Sequence, residues 1–174
     1  MNIENEKRIL LILRHGKSDI EKGIPDFNRQ LNKYGKNQAV AVGKLIRNLD
    51  LIPDYIISSS AKRAVDTTEI VVKFSNYDGK IDINPSLYLQ NSEENYFSVL
   101  ANLSNKYYKV LVIGHNPSVE NLIEKLTNRI EMMRTCSFAR IDIKIKSWSE
   151  IIKYSKDKIE FFGIWHSGIK DEYI

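Results

Sequence analysis

The chain has 174 residues, of which 43% are hydrophobic and 28% charged, and its formal net charge is +4. This length fits one domain, expected over residues 1–174, and the composition excludes a disordered or fibrous protein. The basic excess is small and dispersed, so it suits an anionic substrate but predicts no nucleic-acid partner.

Cysteine usage and the N-terminus bear on the compartment. Cys136 is the only cysteine, which excludes a disulfide framework and a thiolate metal cluster and favours a reducing, cytoplasmic location. The apolar run Ile9–Leu13 is too short for a signal peptide or a membrane span, so we expect no membrane partner.

Strands and helices alternate along the first half of the chain. Residues Arg8–Arg14 form a short continuous apolar run, typical of a strand covered on both faces in a parallel sheet. Apolar residues recur at helical spacing between Lys36 and Leu49, which predicts an amphipathic crossover helix. The segment 55–60, YIISSS, predicts a second strand, and Ser60 is expected to cap the helix that follows it.

The alternation continues in the second half. The sequence predicts a third strand or extended segment over 80–89, another amphipathic helix over 93–105 and a fourth strand over 109–115. Asn116 is expected to cap the next helix, with Pro117 at its first position, where the missing N–H is harmless.

Two later segments differ in texture from the rest. Residues 137–148 and 158–168 alternate apolar and polar side chains, as antiparallel or edge strands with one solvated face do. The whole pattern predicts a three-layer α/β/α sandwich with a mostly parallel, mixed central sheet.

Basic and reactive side chains stand where three of the predicted strands end. Arg14 and His15 follow the first strand. Arg63 lies in the first turn of the helix after the second strand, and His115 follows the fourth. Ligands bind at the carboxyl ends of strands in such sheets, so these side chains are expected to converge. Arginine binds anions and a neutral imidazole can attack phosphorus, so the pattern predicts a phosphate site with a nucleophile.

Three stretches carry a resemblance to a known family: RHG after the first strand, SSSAKRAVDTTEIV after the second and VIGHNPSVENLI after the fourth. They resemble the histidine phosphatase superfamily, which has the phosphoglycerate mutase-like fold, and within it the small SixA-type phosphohistidine phosphatases. The segment DFNRQLNKYGKNQA resembles the family's lead into the first helix, with Asp26, Arg29, Leu31 and Gly35 at the matching places.

The resemblance implies a metal-independent phosphatase without a cofactor, in which His15 is the nucleophile that becomes phosphorylated. Arg14, Arg63 and a protonated His115 would hold the phosphoryl group and stabilise the charge of the transition state. His15 must be neutral at its attacking nitrogen, so its other nitrogen is expected to donate to a fixed acceptor such as a backbone carbonyl near Gly16. Further candidates for substrate contacts are Gly16, Ser18 and Asn116.

One departure from the family bears on the substrate. Many members carry an acidic residue soon after the third strand that protonates an alcohol leaving group, and here Leu89 or Gln90 takes that place. Glu93 and Glu94 are expected to be first-turn acids of the next helix. Phosphohistidine can take a proton from solvent at its other ring nitrogen, since histidine titrates near ~6.5. The missing acid therefore favours a phosphoramidate such as phosphohistidine, or another activated phosphate, over a sugar phosphate.

Two other functions stay open at this point. One is a small-molecule phosphomonoesterase of the same superfamily, and the other is a phosphate-binding module without catalysis. The predicted partner is a phosphate-bearing substrate, with a histidine-phosphorylated protein as the leading expectation, because the spacing of the motifs leaves no room for a large lid.

Overall fold

The structure is a computed structural model, and it describes residues 7–20, 22–88 and 93–166. The strands and helices follow one another along the chain in the predicted alternation. In chain order they are β1 (Arg8–Arg14), α1 (Lys33–Asn48), β2 (Tyr55–Ser59), α2 (Lys62–Ser75), β3 (Ile81–Asn84), α3 (Glu93–Ala101), β4 (Lys109–Gly114), α4 (Ser118–Thr127), β5 (Phe138–Ile143) and β6 (Ile159–Trp165).

The strands form one six-stranded mixed sheet in the order β3-β2-β4-β1-β5-β6. The four strands from β3 to β1 are parallel, and β5 and β6 extend the sheet in antiparallel fashion. The parallel strands are buried on both faces except β3, which lies at the edge. The predicted mixed sheet, with its later antiparallel strands, is confirmed.

Helices cover both faces of this sheet. On one face, Leu11 and Leu13 of β1 pack in a buried cluster with apolar residues of α1 and α2. On the other face, Leu10 and Ile12 pack with residues of α3 and α4 and with Trp148, which is fully buried. The alternate side chains of one strand thus serve two separate cores, because successive side chains of a strand point to opposite faces. The three-layer α/β/α sandwich is confirmed.

Three element boundaries differ from the prediction. Helix α2 begins at Lys62 with Ala61 as its N-cap residue, so Ser60 does not cap it. Helix α4 begins at Ser118 with Pro117 in the N-cap position and no capping side chain. Strand β3 ends at Asn84, because the following residues turn into a short 3-10 helix over Pro85–Leu87.

The same edge of the sheet receives the carboxyl ends of β1, β2 and β4. The strand register pairs Arg14 of β1 with Gly114 of β4, and Ser58 of β2 with Ile113 of β4. The residues that leave these three strands therefore emerge side by side. Among the residues that the structure describes, no helix is long and apolar enough to cross a membrane.

Candidate active site

The four side chains predicted to converge do so at this edge of the sheet. The rings of His15 and His115 lie 4.8 Å apart between centroids, and Arg63 Nε donates to His15 Nε2 at 3.2 Å. Both histidines and Arg63 are almost buried, with 8%, 9% and 6% of their surface exposed. Arg14 lies beside His15 in the chain and exerts an electrostatic effect on both rings. The site thus brings two imidazoles and two guanidinium groups together.

The backbone fixes the tautomer of His15. Its Nδ1 lies 2.7 Å from the carbonyl oxygen of Gly16. A carbonyl oxygen only accepts, so Nδ1 must carry the hydrogen, and Nε2 holds the free lone pair of the neutral ring. The guanidinium hydrogen of Arg63 points at that lone pair. The expected acceptor near Gly16 is confirmed, and it is the carbonyl of Gly16 itself.

Burial and positive neighbours keep both imidazoles neutral. The pKa of His15 is well below 6.5, first because the ring is buried and then because His115 and the two arginines oppose a further positive charge. Burial, followed by the charge of Arg63, lowers the pKa of His115 to about 3. The expectation of a protonated His115 is therefore wrong for the pocket in this form, and Arg14 and Arg63 supply its positive charge.

Arg14 is anchored from one side of the pocket. Its Nη1 donates to the carbonyl oxygen of Met133 at 2.8 Å, and its Nε is buried without a hydrogen-bond partner in the described part of the chain. The Nδ2 group of Asn116 donates to the same carbonyl at 3.0 Å and to Glu120 at 2.6 Å. Asn116 therefore stands behind Arg14, and its amide hydrogens hold the loop and the start of α4 instead of capping the helix.

Arg63 is held by Asp26, which was not among the predicted site residues. Arg63 Nη1 donates to the backbone oxygen of Asp26 at 2.7 Å, and Nη2 donates to its Oδ2 at 3.1 Å. Burial acts to raise the pKa of Asp26, but hydrogen bonds from Arg29 and Tyr88 and the charge of Arg63 lower it to about 2. Asp26 is thus ionised at neutral pH. The sequence feature that could have identified Asp26 as a site residue is its place in the segment DFNRQL.

Ser59 and Tyr88 complete the surroundings of His115. The hydroxyl of Ser59 lies 2.7 Å from His115 Nε2, while His115 Nδ1 is buried without a partner among the described atoms. The ring of Tyr88 meets that of His115 edge-on at 5.8 Å, and its hydroxyl donates to Asp26 at 3.0 Å. Neither Ser59 nor Tyr88 was among the predicted site residues. Their contacts join residues far apart in the sequence.

Close backbone approach shapes the loop after β1. Gly16 N donates to the hydroxyl of Thr67 at 3.0 Å, which ties this loop to α2. A Cβ atom on Gly35 would come within 2.1 Å of the Lys17 carbonyl oxygen, so only glycine permits α1 to start against the loop. Ser18 accepts from Arg29 at 3.1 Å and is connected to Arg63 through Arg29 and Asp26.

Four positions were considered for the acid that protonates a leaving group, and the structure describes two of them. Leu89 and Gln90 lie outside the described residues. Glu93 and Glu94 are first-turn acids of α3, as predicted, and Glu93 pairs with Lys125 at 2.7 Å. A hydrogen bond from Lys125 lowers the pKa of Glu93, so this carboxyl is ionised as well. Within the described ranges, no group of three or more His, Cys, Asp or Glu side chains is placed to hold a metal ion.

The fold and the pocket together define a class of protein, the α/β enzymes that act on phosphate-bearing substrates. Residues 10–88 match the model of the histidine phosphatase superfamily (branch 1), and this stretch contains Arg14, His15 and Arg63. Over these residues the chain is similar to the histidine phosphatase superfamily, and this similarity indicates a phosphatase.

Two curated relatives and one solved structure are similar to this chain. The chloroplastic protein At3g52155 of Arabidopsis thaliana is 27% identical over 159 residues, which cover 85% of this chain and 72% of that protein. The broad-specificity phosphatase YOR283W of Saccharomyces cerevisiae is 30% identical over 104 residues, 57% of this chain and 43% of its own length. The protein histidine phosphatase SixA, solved with tungstate, superposes with a TM-score of 0.78 at 21% identity, covering 91% of this chain and 97% of that one. The similarity to SixA is a similarity of fold.

Proposed function

We propose that the protein hydrolyses phosphohistidine, without a metal ion, through a covalent phosphate on His15 Nε2. The observation that carries the proposal is the hydrogen bond from His15 Nδ1 to the Gly16 carbonyl, because it leaves Nε2, the atom that faces Arg63, without a proton. The low pKa of His15 keeps the lone pair of Nε2 available at neutral pH.

In the first step, the lone pair of His15 Nε2 attacks phosphorus and the bond from phosphorus to the substrate nitrogen breaks. The lone pair is then used for the new bond, so Arg63 Nε turns from His15 to a phosphoryl oxygen. Arg14 Nε and His115 Nδ1, both buried without partners among the described atoms, donate to the other oxygens. Charge on these oxygens is stabilised mainly by such fixed donors.

In the second step, water attacks phosphorus, the bond to His15 Nε2 breaks and inorganic phosphate leaves. The lone pair returns to Nε2, and Arg63 donates to it again. The hydrogen bond to the Gly16 carbonyl holds the ring in one orientation through both steps, which favours in-line transfer at a fixed atom.

The acidic groups of the site determine which leaving groups can receive a proton from the protein. Asp26 is ionised, since its pKa is about 2, and it has no proton to give. Tyr88 donates its hydroxyl hydrogen to Asp26, and burial raises the pKa of the phenol. An alkoxide needs a proton from the enzyme as it leaves, whereas an imidazole takes one from water at its second nitrogen. These groups therefore support a phosphohistidine substrate over a sugar phosphate. SixA, which has a similar fold, was solved with tungstate, a tetrahedral oxyanion like phosphate, and this supports a substrate that carries a phosphoryl group.

The test compares three substrates, phosphohistidine, para-nitrophenyl phosphate and 3-phosphoglycerate, in the native protein and in His15→Ala. We expect turnover of phosphohistidine to fall by roughly a thousandfold or more in His15→Ala. His166→Ala is the matched control, because His166 is exposed and bonds to Ser137. Brief mixing with ³²P-labelled substrate should label the native protein on a histidine, with acid-labile phosphate. Unchanged turnover in His15→Ala would exclude the mechanism, and activity on 3-phosphoglycerate alone would exclude the substrate.

A further inference from the structure

Large exposed apolar side chains are concentrated on two loops. In the described part of the chain, eleven such side chains are exposed. Five of them lie on the loop after β1 or on the loop between α4 and β5. We call these five the apolar rim: Ile20, Ile24, Phe27, Ile130 and Met132. Ile20, Ile130 and Met132 are 88%, 89% and 72% exposed, so the fold itself buries little of them.

Both loops take part in the candidate active site. The first contains Asp26, whose backbone oxygen and carboxylate hold Arg63. Next to it, Phe27 meets the ring of Tyr88 edge-on at 5.0 Å, and Tyr88 meets His115 in the same way. The second loop contains Met133, whose carbonyl accepts from Arg14. Two members of the apolar rim are therefore chain neighbours of residues that hold the arginines. Phe27 follows Asp26, which holds Arg63, and Met132 precedes Met133, which holds Arg14.

Polar contacts hold the loop after β1 in a conformation that leaves its apolar side chains exposed to solvent. Arg29 donates to Asp26 and to Ser18, and Asn32 donates to Asp19 at 2.7 Å. Single exposed apolar side chains are ordinary, but a concentration of them framed by polar groups marks an interaction site. A small phosphate ester has no polypeptide that could cover these side chains. A protein that carries the phosphoryl group brings a surface to the two loops that hold the arginines of the site.

We propose that the apolar rim docks the protein part of the substrate and prefers apolar residues beside the phosphorylated side chain. The proposal rests on the proposed function and names the surface that selects its substrate. Apolar contact area removed from water lowers the free energy of the complex, and it does so before any bond to phosphorus changes. The apolar rim therefore acts on KM for a polypeptide and leaves the chemical step alone.

The experiment uses three substrates with the same phosphorus–nitrogen bond. Two are phosphohistidine peptides of equal length, one with leucines and one with serines around the phosphohistidine, and the third is free phosphohistidine. We expect the native protein to show a KM roughly tenfold lower for the leucine peptide than for the serine peptide. In the double variant Ile130→Ser/Met132→Ser this preference should fall to about twofold or less, with kcat unchanged.

Ile152→Ser is the matched control. Ile152 is 60% exposed, but it follows the far end of β5, away from the edge that carries the pocket. Its substitution should leave the preference for the leucine peptide intact. A second control adds vesicles of phosphatidylcholine and phosphatidylglycerol. Co-sedimentation that the double variant abolishes would mean that the apolar rim serves a lipid surface, and this would overturn the proposal.

The outcomes separate the two proposals. Equal KM for the two peptides in the native protein overturns the docking proposal, and so does a double variant that loses activity on free phosphohistidine as strongly as on the leucine peptide. In both cases, turnover of free phosphohistidine that depends on His15 leaves the proposed function standing. Absence of any turnover that depends on His15 overturns the proposed function and, with it, the docking proposal.

Discussion

At the scale of single residues, one buried hydroxyl orients the ring of His115. Ser59 is fully buried, and its Oγ lies 2.7 Å from His115 Nε2, so one side of the ring is engaged by the protein. The other nitrogen, Nδ1, is the one free to meet the phosphoryl group. The ring is neutral, so its value as a donor depends on which nitrogen carries the hydrogen.

We therefore expect Ser59→Ala to lower kcat/KM for phosphohistidine by about tenfold, the effect of one lost hydrogen bond that orients the ring. The loss should appear mainly in kcat, and Ser59→Thr, which keeps a hydroxyl, should restore part of it. Steady-state kinetics on free phosphohistidine are the measurement.

The neighbouring serine provides the control for this prediction. Ser58 is as fully buried as Ser59, but its hydroxyl forms its hydrogen bonds with the Ser59 carbonyl and with Thr68. Ser58→Ala should change stability and leave kcat within about twofold of native. Equal losses of kcat in the two alanine variants would show that burial, and not the contact with His115, is responsible.

At the scale of elements, the end of β4 depends on a glycine. A Cβ atom on Gly114 would lie 1.7 Å from the hydroxyl oxygen of Tyr96, which is fully buried on α3. Only a residue without a side chain lets α3 pack this closely against the strand that delivers His115. At the end of β4, packing against Tyr96 thus requires Gly114, and the next residue, His115, belongs to the candidate active site.

Gly114→Ala is expected to lower the free energy of unfolding by about 3 kcal/mol, because overpacking forces either the strand or Tyr96 to move. Urea unfolding followed by tryptophan fluorescence measures the change. Adding Tyr96→Phe removes the atom nearest to the new methyl group, so the double variant should recover part of the loss relative to Tyr96→Phe alone. Strict additivity of the two substitutions would contradict this packing argument.

At the scale of the whole molecule, the neutral histidines make stability depend on pH. In the folded chain the pKa of His15 is well below 6.5 and that of His115 is about 3, whereas both have the ordinary pKa near ~6.5 when the chain is unfolded. As the pH falls below about 6.5, the unfolded chain takes up protons that the folded chain does not bind. The free energy of unfolding should then fall by up to about 1.4 kcal/mol per pH unit for each histidine.

Urea unfolding between pH 7.5 and 5.0 in a phosphate-free buffer measures this slope. The upper part of the range, above about pH 6.5, should be nearly flat. The double variant His15→Gln/His115→Gln cannot bind these protons, so most of the slope should disappear. A slope that the double variant keeps unchanged would mean that other groups carry the dependence on pH.

Sequence patterns were sufficient for the layers of the molecule and for the centre of the site. The continuous apolar runs of β1 and β4 and the helical spacing in α1 are local properties, and each predicts its element directly. His15 and His115 could be grouped because parallel strands deliver their carboxyl ends to one edge. Element ends were less predictable. The amide of Asn116, for example, donates to the distant carbonyl of Met133 and does not cap α4.

The sequence by itself determined that a histidine and an arginine would leave a buried strand together, because that requires only a local run of apolar residues before them. Only the tertiary structure decided that Asp26 holds Arg63, that Ser59 orients His115 and that both imidazoles are neutral. The first two are contacts between residues 37 and 56 positions apart. The third follows from burial beside two guanidinium groups, and the field at a side chain is set by every charge and every excluded water molecule around it.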